Sequence, residues 1–383
     1  VVLASRIYLP EPAAASYRLA GLVEALAHEG AQVDVLTTSA PPALRTQAHG
    51  PTRDPRIRIR RFPVLRDRAG YVRGYLQYLS YDLPLVARLL TVRRPDVVVC
   101  EPPPTTGAVV RAVCALRRIP YVYYAADIWS DAAGNAAPGA VVDTVRSVER
   151  GAIRRASAVL SVSDAVTQRL LPWRTDGVTT VGHGIDTTVF RPAPGGPGDP
   201  PYFLYAGTAS EVHGATIFVE AFRRVRRDHP RTRLVFAGQG TDVDAFASAA
   251  ADLPAGAVTV LPRQDAAATA SLIRGAVASL ASVRPSMNYD YAVPTKAYAS
   301  LACGVPVILA GPSPLAAAVQ EAGLGWAVPY DVAAVAGAMQ AALDRPGPAE
   351  DAARIAAWAD EHASGRQVAQ RAADVVLTAA AGG

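Results

Sequence analysis

Arg191-Pro192-Ala193-Pro194-Gly195-Gly196-Pro197-Gly198-Asp199-Pro200-Pro201 decides the architecture. So much proline and glycine in one run can sustain neither helix nor sheet. The run lies near the middle of 383 residues, and the same pattern repeats on both sides of it. Upstream, short apolar runs at Val1–Ala4, Val33–Leu36, Asp96–Cys100, Tyr121–Tyr124, Ala158–Val162 and Val178–Val181 alternate with helix-length amphipathic stretches. Downstream, Tyr202–Tyr205, Arg233–Ala237, Val258–Leu261, Val277–Leu280 and Val305–Leu309 do the same. Strands separated by helices give a parallel sheet with right-handed crossovers. The expectation is an α/β protein of two Rossmann-like halves facing across a cleft. Residues 1–187 form the first domain, 188–201 the linker and 202–359 the second. A C-terminal helix over about 360–383 crosses back onto the first domain. Ligands of such sheets sit at the carboxyl ends of the strands, so a site between the halves is expected.

Composition narrows the function. Half the residues are hydrophobic and 19% are charged, a globular balance. The net charge of +5 is too mild and too dispersed for a nucleic-acid partner. Cys100, Cys114 and Cys303 lie far apart with no CxxC pair, so a disulfide scaffold and a cysteine zinc site are unexpected and a reducing compartment is the simple reading. No basic segment precedes an apolar run at the start, so no signal peptide is expected. The longest uncharged stretch, Ala297 to Gln320, is punctuated by Gly304, Pro306, Gly311, Pro312 and Pro314, which a membrane span would not carry. A cytoplasmic protein follows. The span Arg53–Arg73 holds eight arginines and reads two ways. It is a solvated face balanced by Asp54 and Asp67, or a patch for an anionic acceptor or for anionic lipid at the inner membrane face.

Of the 38 basic residues, Lys296 is the one lysine. It stands in Pro294-Thr295-Lys296-Ala-Tyr298-Ala-Ser-Leu-Ala-Cys-Gly304, where a helix starts at Thr295 and Gly304 stops it. A helix start offers free N–H groups and a positive dipole, which suit phosphate. A cation there opposes the dipole unless an anion sits opposite, which argues for a bound diphosphate. Just upstream, Arg284-Pro-Ser-Met-Asn288-Tyr289-Asp290-Tyr291 is a polar, aromatic loop suited to a sugar phosphate. Gly238-Gln239-Gly240 follows a strand and gives a backbone room to approach a ligand. It lacks the third glycine and the following acid of a dinucleotide fingerprint, and no Walker A loop precedes Lys296. His183 sits in a turn at the inter-domain junction, where ligand contact and a hinge role are equally open. His213, before Gly214, opens a second-half helix and is a candidate to face phosphate. The histidines show no metal spacing, and no Gly-x-Ser-x-Gly elbow occurs.

The whole pattern resembles the family-4 glycosyltransferases of the GT-B fold, particularly the branch related to bacterial fucosaminyltransferases. Tyr8-Leu9-Pro10-Glu11 with Arg18 resembles the family's first loop and helix, and Glu29-Gly30 to Thr37 its second strand. Asp127-Ile128-Trp129, Gly184-Ile185-Asp186 with Phe190 and Pro192, Tyr205-Ala206-Gly207 and the Pro-Thr-Lys block follow in the family's order. The resemblance implies a nucleotide-diphosphate sugar as donor, retention of anomeric configuration, and neither cofactor nor metal. It implies catalytic roles for Lys296 at the phosphates, Asp290 at sugar hydroxyls, and Asp127 at acceptor or sugar. Arg284, Asn288, Thr295, Tyr298, Gly238, Gly240, Arg263 and His213 fall on the donor side. Glu11, Arg18 and His183 fall on the side of a small-molecule, glycan or lipid-linked acceptor. Three departures stand out. Pro12-Ala13-Ala14 replaces the family's glycine loop. Ala299 replaces the glutamate that holds ribose hydroxyls, for which Tyr298 or Ser300 could substitute. The segment Gly207 to Gly214 lacks the basic pair of many relatives. Two alternatives stay open: a nucleotide-sugar 2-epimerase on the same fold, and a non-catalytic sugar-nucleotide-binding protein.

Overall fold

The computed structural model describes residues 1–383 apart from 12, 46–53, 68, 69, 71, 73, 134–137, 196, 197, 288, 345–348 and 383. In chain order the first half runs β1 (Val2–Ala4), α1 (Ala14–His28), β2 (Val33–Thr38), β3 (Ile57–Phe62), α2 (Tyr75–Thr91), β4 (Val98–Cys100), α3 (Pro104–Arg117), β5 (Tyr121–Ala125), α4 (Trp129–Ala133), α5 (Gly139–Arg155), β6 (Ala158–Ser161), α6 (Asp164–Leu170) and β7 (Val178–Thr180). The second half runs β8 (Tyr202–Thr208), α7 (Thr216–Asp228), β9 (Arg233–Gln239), α8 (Val243–Ala249), β10 (Val258–Leu261), α9 (Ala266–Arg274), β11 (Ala278–Ser282), α10 (Thr295–Ala302), β12 (Val307–Ala310), α11 (Leu315–Glu321), β13 (Gly325–Val328), α12 (Val332–Asp344), α13 (Ala349–Ala363) and α14 (Gly365–Ala381). These elements form two compact units, Val1–Gly184 with Gly365–Gly383, and Ile185–Ser364.

In the first unit the strand order is β3-β2-β1-β4-β5-β6-β7, with every pair parallel. The winding reverses between β1 and β4. β1, β4 and β5 are buried along their whole length, as central strands covered on both faces must be. Edge strand β3 alternates, turning Ile57 and Ile59 inward and Arg58 and Arg60 outward. Helix α1 buries Leu19, Leu22, Val23 and Leu26, the spacing of one helical face. The last helix, α14, belongs here too. It packs on α1, and the Arg371 guanidinium donates to the Val181 carbonyl at 2.8 and 3.2 Å.

In the second unit the order is β10-β9-β8-β11-β12-β13, again all parallel, with the reversal between β8 and β11. One face of the sheet carries an aromatic core of Phe203, Tyr205, Phe218, Phe222, Phe236 and Phe246. Tyr205 stacks on Phe236 with ring centroids 5.4 Å apart. Each such side chain contributes about 1.5–3 kcal/mol by leaving water. The expected free linker over 188–201 is part of this unit. Phe190 packs into its core, and the Gly198 N–H donates to the Gly275 carbonyl at 2.9 Å. The tail over 351–381 is two helices, because Ser364 leaves helical pairing to bridge Ile185.

Candidate functional site

The second unit concentrates its chemistry where the winding reverses. Crossovers leave β8 and β11 on opposite sides of that point, and the loops at their carboxyl ends diverge to open a crevice. β8 ends in Tyr205-Ala206-Gly207-Thr208, and α10 opens beside it at Pro294 with no side-chain cap. Lys296, in the first turn of α10, reaches across to this strand end. Its ammonium donates to the Tyr205 hydroxyl and, at 3.1 Å, to the Thr208 carbonyl. It also lies 3.8 Å from the centroid of the Tyr205 ring. Gly207 beside it has φ at +128°, a conformation that suits glycine, and a Cβ there would make only ordinary contact with the lysine Cε at 3.5 Å.

The lysine is half-buried, and its dense surroundings push its ammonium down to about 7. Among the described residues, no carboxylate lies within ion-pair distance of it. Gly207 and Thr208 are exposed, so the site is open to an incoming group. His213 stands close by. Burial first and the lysine's charge second pull its imidazole down to about 3, so the ring is neutral. Its Nδ1 pairs with the Ser210 hydroxyl at 2.7 Å, and its carbonyl accepts from Ser282 at 2.6 Å. The loop 209–214 is thereby tied to the end of β11. The Arg284 N–H completes that tie at 2.8 Å to Val212, leaving the guanidinium in solvent. Thr295, Lys296, His213 and Arg284 are thus gathered at one strand reversal. Asp290 is exposed in the loop between β11 and α10, while Asn288 lies outside the described residues.

Other donor-side expectations meet a different structure. Arg263 is exposed beyond edge strand β10, two strands from β8. At Gly238 a Cβ would lie 1.9 Å from the Gly207 carbonyl oxygen, and at Gly240 it would lie 1.8 Å from that of Ala209. Both glycines are required by the neighbouring backbone, so close ligand approach is not needed to explain them. Tyr298 stacks on Trp358 of α13 at 6.4 Å, in the core, and burial pushes its phenol up to about 12. Ser300 is buried and donates to the Val305 carbonyl at 2.9 Å. The Ser300 hydroxyl is thereby engaged within the unit. Ala299 is buried in an apolar cluster with Val235 and Cys303.

At the reversal of the first unit, buried Glu101 accepts from Ser5 at 2.8 Å and from Arg18 at 2.9 Å. The Arg18 guanidinium lies 5.0 Å from the Tyr124 ring centroid. His183 is lowered to about 4 by burial, then by the charge of Arg18, and is neutral. Glu11 is buried and gripped by the fork of Arg66, at 2.7 and 3.0 Å, so its carboxylate is engaged within the unit. Asp127 accepts from the Ile128 N–H at 2.9 Å. Next to it, buried Glu149 accepts from the Trp129 and Ser130 N–H groups at 2.9 and 3.0 Å. Burial, opposed by those N–H bonds and reinforced by Asp127, pushes Glu149 up to about 7. Glu101 and Glu149 escaped the sequence reading; the only signal for Glu101 was a carboxylate at the end of an apolar strand.

The arginine-rich span is largely spent on structure. Arg56 pairs with Asp54, Arg60 with Asp34 and Arg66 with Glu11, while Arg61 donates to the Leu9 and Thr38 carbonyls. Arg58 is exposed, and Arg53, Arg68 and Arg73 lie outside the described residues. No helix among the described residues is long and apolar enough to cross a membrane.

Two parallel-sheet Rossmann-like units of this kind define the GT-B class, and known proteins agree. A sucrose-phosphate synthase from Thermosynechococcus elongatus superposes with a TM-score of 0.78 at 18% identity, covering 100% of this chain and 99% of that one. Anabaena HepE, solved in complex with UDP and glucose, gives 0.71 at 16% identity, covering 98% and 99%. In sequence, the chain is 28% identical over 229 residues to a glycogen synthase of Mycobacterium tuberculosis, covering 57% of this chain and 53% of that protein. It therefore spans about half the length of the curated relatives it matches. Residues 14–184 match the glycosyl transferase 4-like domain and residues 186–360 the glycosyl transferases group 1 domain. Each half of the chain thus matches a glycosyltransferase domain, 4-like in the first and group 1 in the second.

Proposed function

We propose that this protein transfers a sugar from a nucleoside-diphosphate sugar to an acceptor, with retention at the anomeric carbon. One observation carries the reading: a lysine at an uncapped helix start with no carboxylate partner among the described residues. The bond from the anomeric carbon to the diphosphate oxygen breaks, and the acceptor oxygen bonds that carbon on the same face. The acceptor proton passes to the departing phosphate oxygen, so no protein base is required. The chain's task is to neutralise charge growing on the diphosphate, and preorganised donors are the main lever for that. Lys296 and the first-turn N–H groups of α10 fill this role, with Arg284 at the rim and neutral His213 as a hydrogen-bonding partner. No metal ion is invoked. Asp290 is assigned to sugar hydroxyls, and Asp127 and Arg18 to the acceptor side. The setting is cytoplasmic, and the fucosaminyltransferase-like branch is the proposed kinship.

Titrating a panel of nucleoside diphosphates into wild type and Lys296→Ala tests the reading. Selective binding lost in the variant supports it. Mass spectrometry of the donor then separates transfer from epimerisation and from binding without change.

A further inference from the structure

Helix α2 is apolar on two faces. Tyr81, Leu85 and Leu89 are buried against the first unit. On the other side Leu76, Leu79, Leu83 and Leu90 are exposed, at 68, 43, 66 and 42%. Their spacing of three, four and seven residues forms one continuous stripe along the helix. Leu116 of α3 is 74% exposed, and Val86, Leu90, Val109, Ala112 and Leu116 line an apolar groove between the two helices. Leu65 and Phe62 extend the surface on the other flank: the Leu65 N–H donates to Ser80 of α2 at 2.9 Å. Scattered apolar residues need no explanation, but a contiguous field of this kind marks an interaction surface.

Charge identifies the occupant. Across α2 and α3 the one acid is Asp82, which is buried and accepts from Thr106 at 2.6 Å. Exposed Arg93, Arg94 and Arg118 crowd the end where the two helices finish, and Arg94 donates to the Arg118 carbonyl at 2.7 Å. Exposed Arg58 and Arg60 stand on β3, and Arg88 of α2 donates to the Arg60 carbonyl at 2.6 Å. Nearby acids are Asp34, paired with Arg60, Asp54, paired with Arg56, half-buried Asp67 beyond Leu65, and exposed Asp96. A second copy seated on this face by a twofold axis would bring arginines against arginines. A bilayer with anionic headgroups meets both features, taking the leucines into its acyl boundary and the arginines at its phosphates. We propose that the α2–α3 face of the first unit is an interfacial membrane-binding surface selective for anionic lipid. It shifts the centre of the contact from the Arg53–Arg73 span to α2 and α3, keeping Arg58, Phe62 and Leu65 of that span at its flank, and it stands whether or not the transferase reading holds.

The test is pelleting with phosphatidylglycerol–phosphatidylcholine vesicles and with phosphatidylcholine vesicles alone, using wild type and the double variant Leu76→Ser, Leu83→Ser. Both leucines are exposed, so the variant keeps its fold, which its melting temperature and circular dichroism confirm. Wild type is expected to pellet with the anionic vesicles, less so as salt rises from about 50 to about 500 mM. The variant should partition at least about tenfold less. No pelleting of wild type with anionic vesicles, or equal pelleting of the variant, overturns the proposal. So does a wild-type dimer in light scattering that the double variant dissolves, because a second copy then owns the face.

Discussion

The two sheets reverse their winding in the same way, yet their reversal points differ in charge. In the first unit Glu101 is answered by Arg18 and Ser5, and Glu11 by Arg66. That region is electrically closed. In the second unit Lys296 has a phenol, a carbonyl and a ring face for company, and His213 beside it is neutral. That region is electrically open. The same topology thus pairs its carboxylates with arginines in one unit and, among the described residues, leaves a lysine with no carboxylate in the other. A half-buried cation with no carboxylate opposite it is the feature on which the proposed diphosphate site rests.

The closed side gives the largest effect. Glu101→Ala leaves the largely buried Arg18 guanidinium with only the Tyr124 ring beside it, and loss of one member of such a pair costs about 3–5 kcal/mol. Denaturant titration should show a drop of that order; a loss under about 1 kcal/mol, the range of a surface pair, would mean the region is not closed. On the open side, Lys296→Ala should lower turnover on the order of 10²–10³-fold while the fold is kept. Lys296→Arg should rescue only part, since a planar guanidinium cannot occupy the ammonium's position over Tyr205.

A pH series sharpens the contrast. With the lysine titrating at about 7 in the free protein, diphosphate binding must recruit a proton above that pH. Affinity is expected to fall by up to about tenfold per pH unit from 7 upward, and calorimetry in two buffers should register proton uptake. Glu149, in the first unit, is shifted in the opposite direction. Its raised value means that the stability it contributes is present below about 4.5 and fades as pH rises through about 7. Glu149→Gln should flatten the melting temperature across that window. The smallest effect concerns the sugar of the nucleotide. Because Ala299 lies in an apolar cluster and Tyr298 and Ser300 are spent elsewhere, UDP and dUDP should bind within about tenfold of each other, roughly 1.4 kcal/mol.

Local pattern reached most of the fold. Val258–Leu261 was readable to the residue as β10, while the cap that starts α9, Asp265 accepting from the Ala268 N–H at 2.8 Å, was not read. Strand β13 and helices α11 and α12 were not, since alanine-rich stretches show little contrast between faces. Lys296 was legible through composition and through its place at a helix start after Pro294. Its partner Tyr205 lies 91 positions away and Glu101 lies 96 from Ser5, separations that only the folded sheet closes. Gly238 and Gly240 signalled close approach correctly, but a sequence cannot say whether ligand or backbone approaches.

The most direct measurement of the open site is a paired one on Lys296→Met: diphosphate affinity by calorimetry, and the melting temperature of the ligand-free protein at pH 7 and pH 10. Between about 7 and 10.5 the unfolded lysine holds more protons than the folded one, so its burial opposes folding. The account predicts that the variant loses diphosphate binding and melts higher than wild type, more so at pH 7 than at pH 10. A variant that binds diphosphate as wild type does and melts lower would make Lys296 a structural residue and contradict the account.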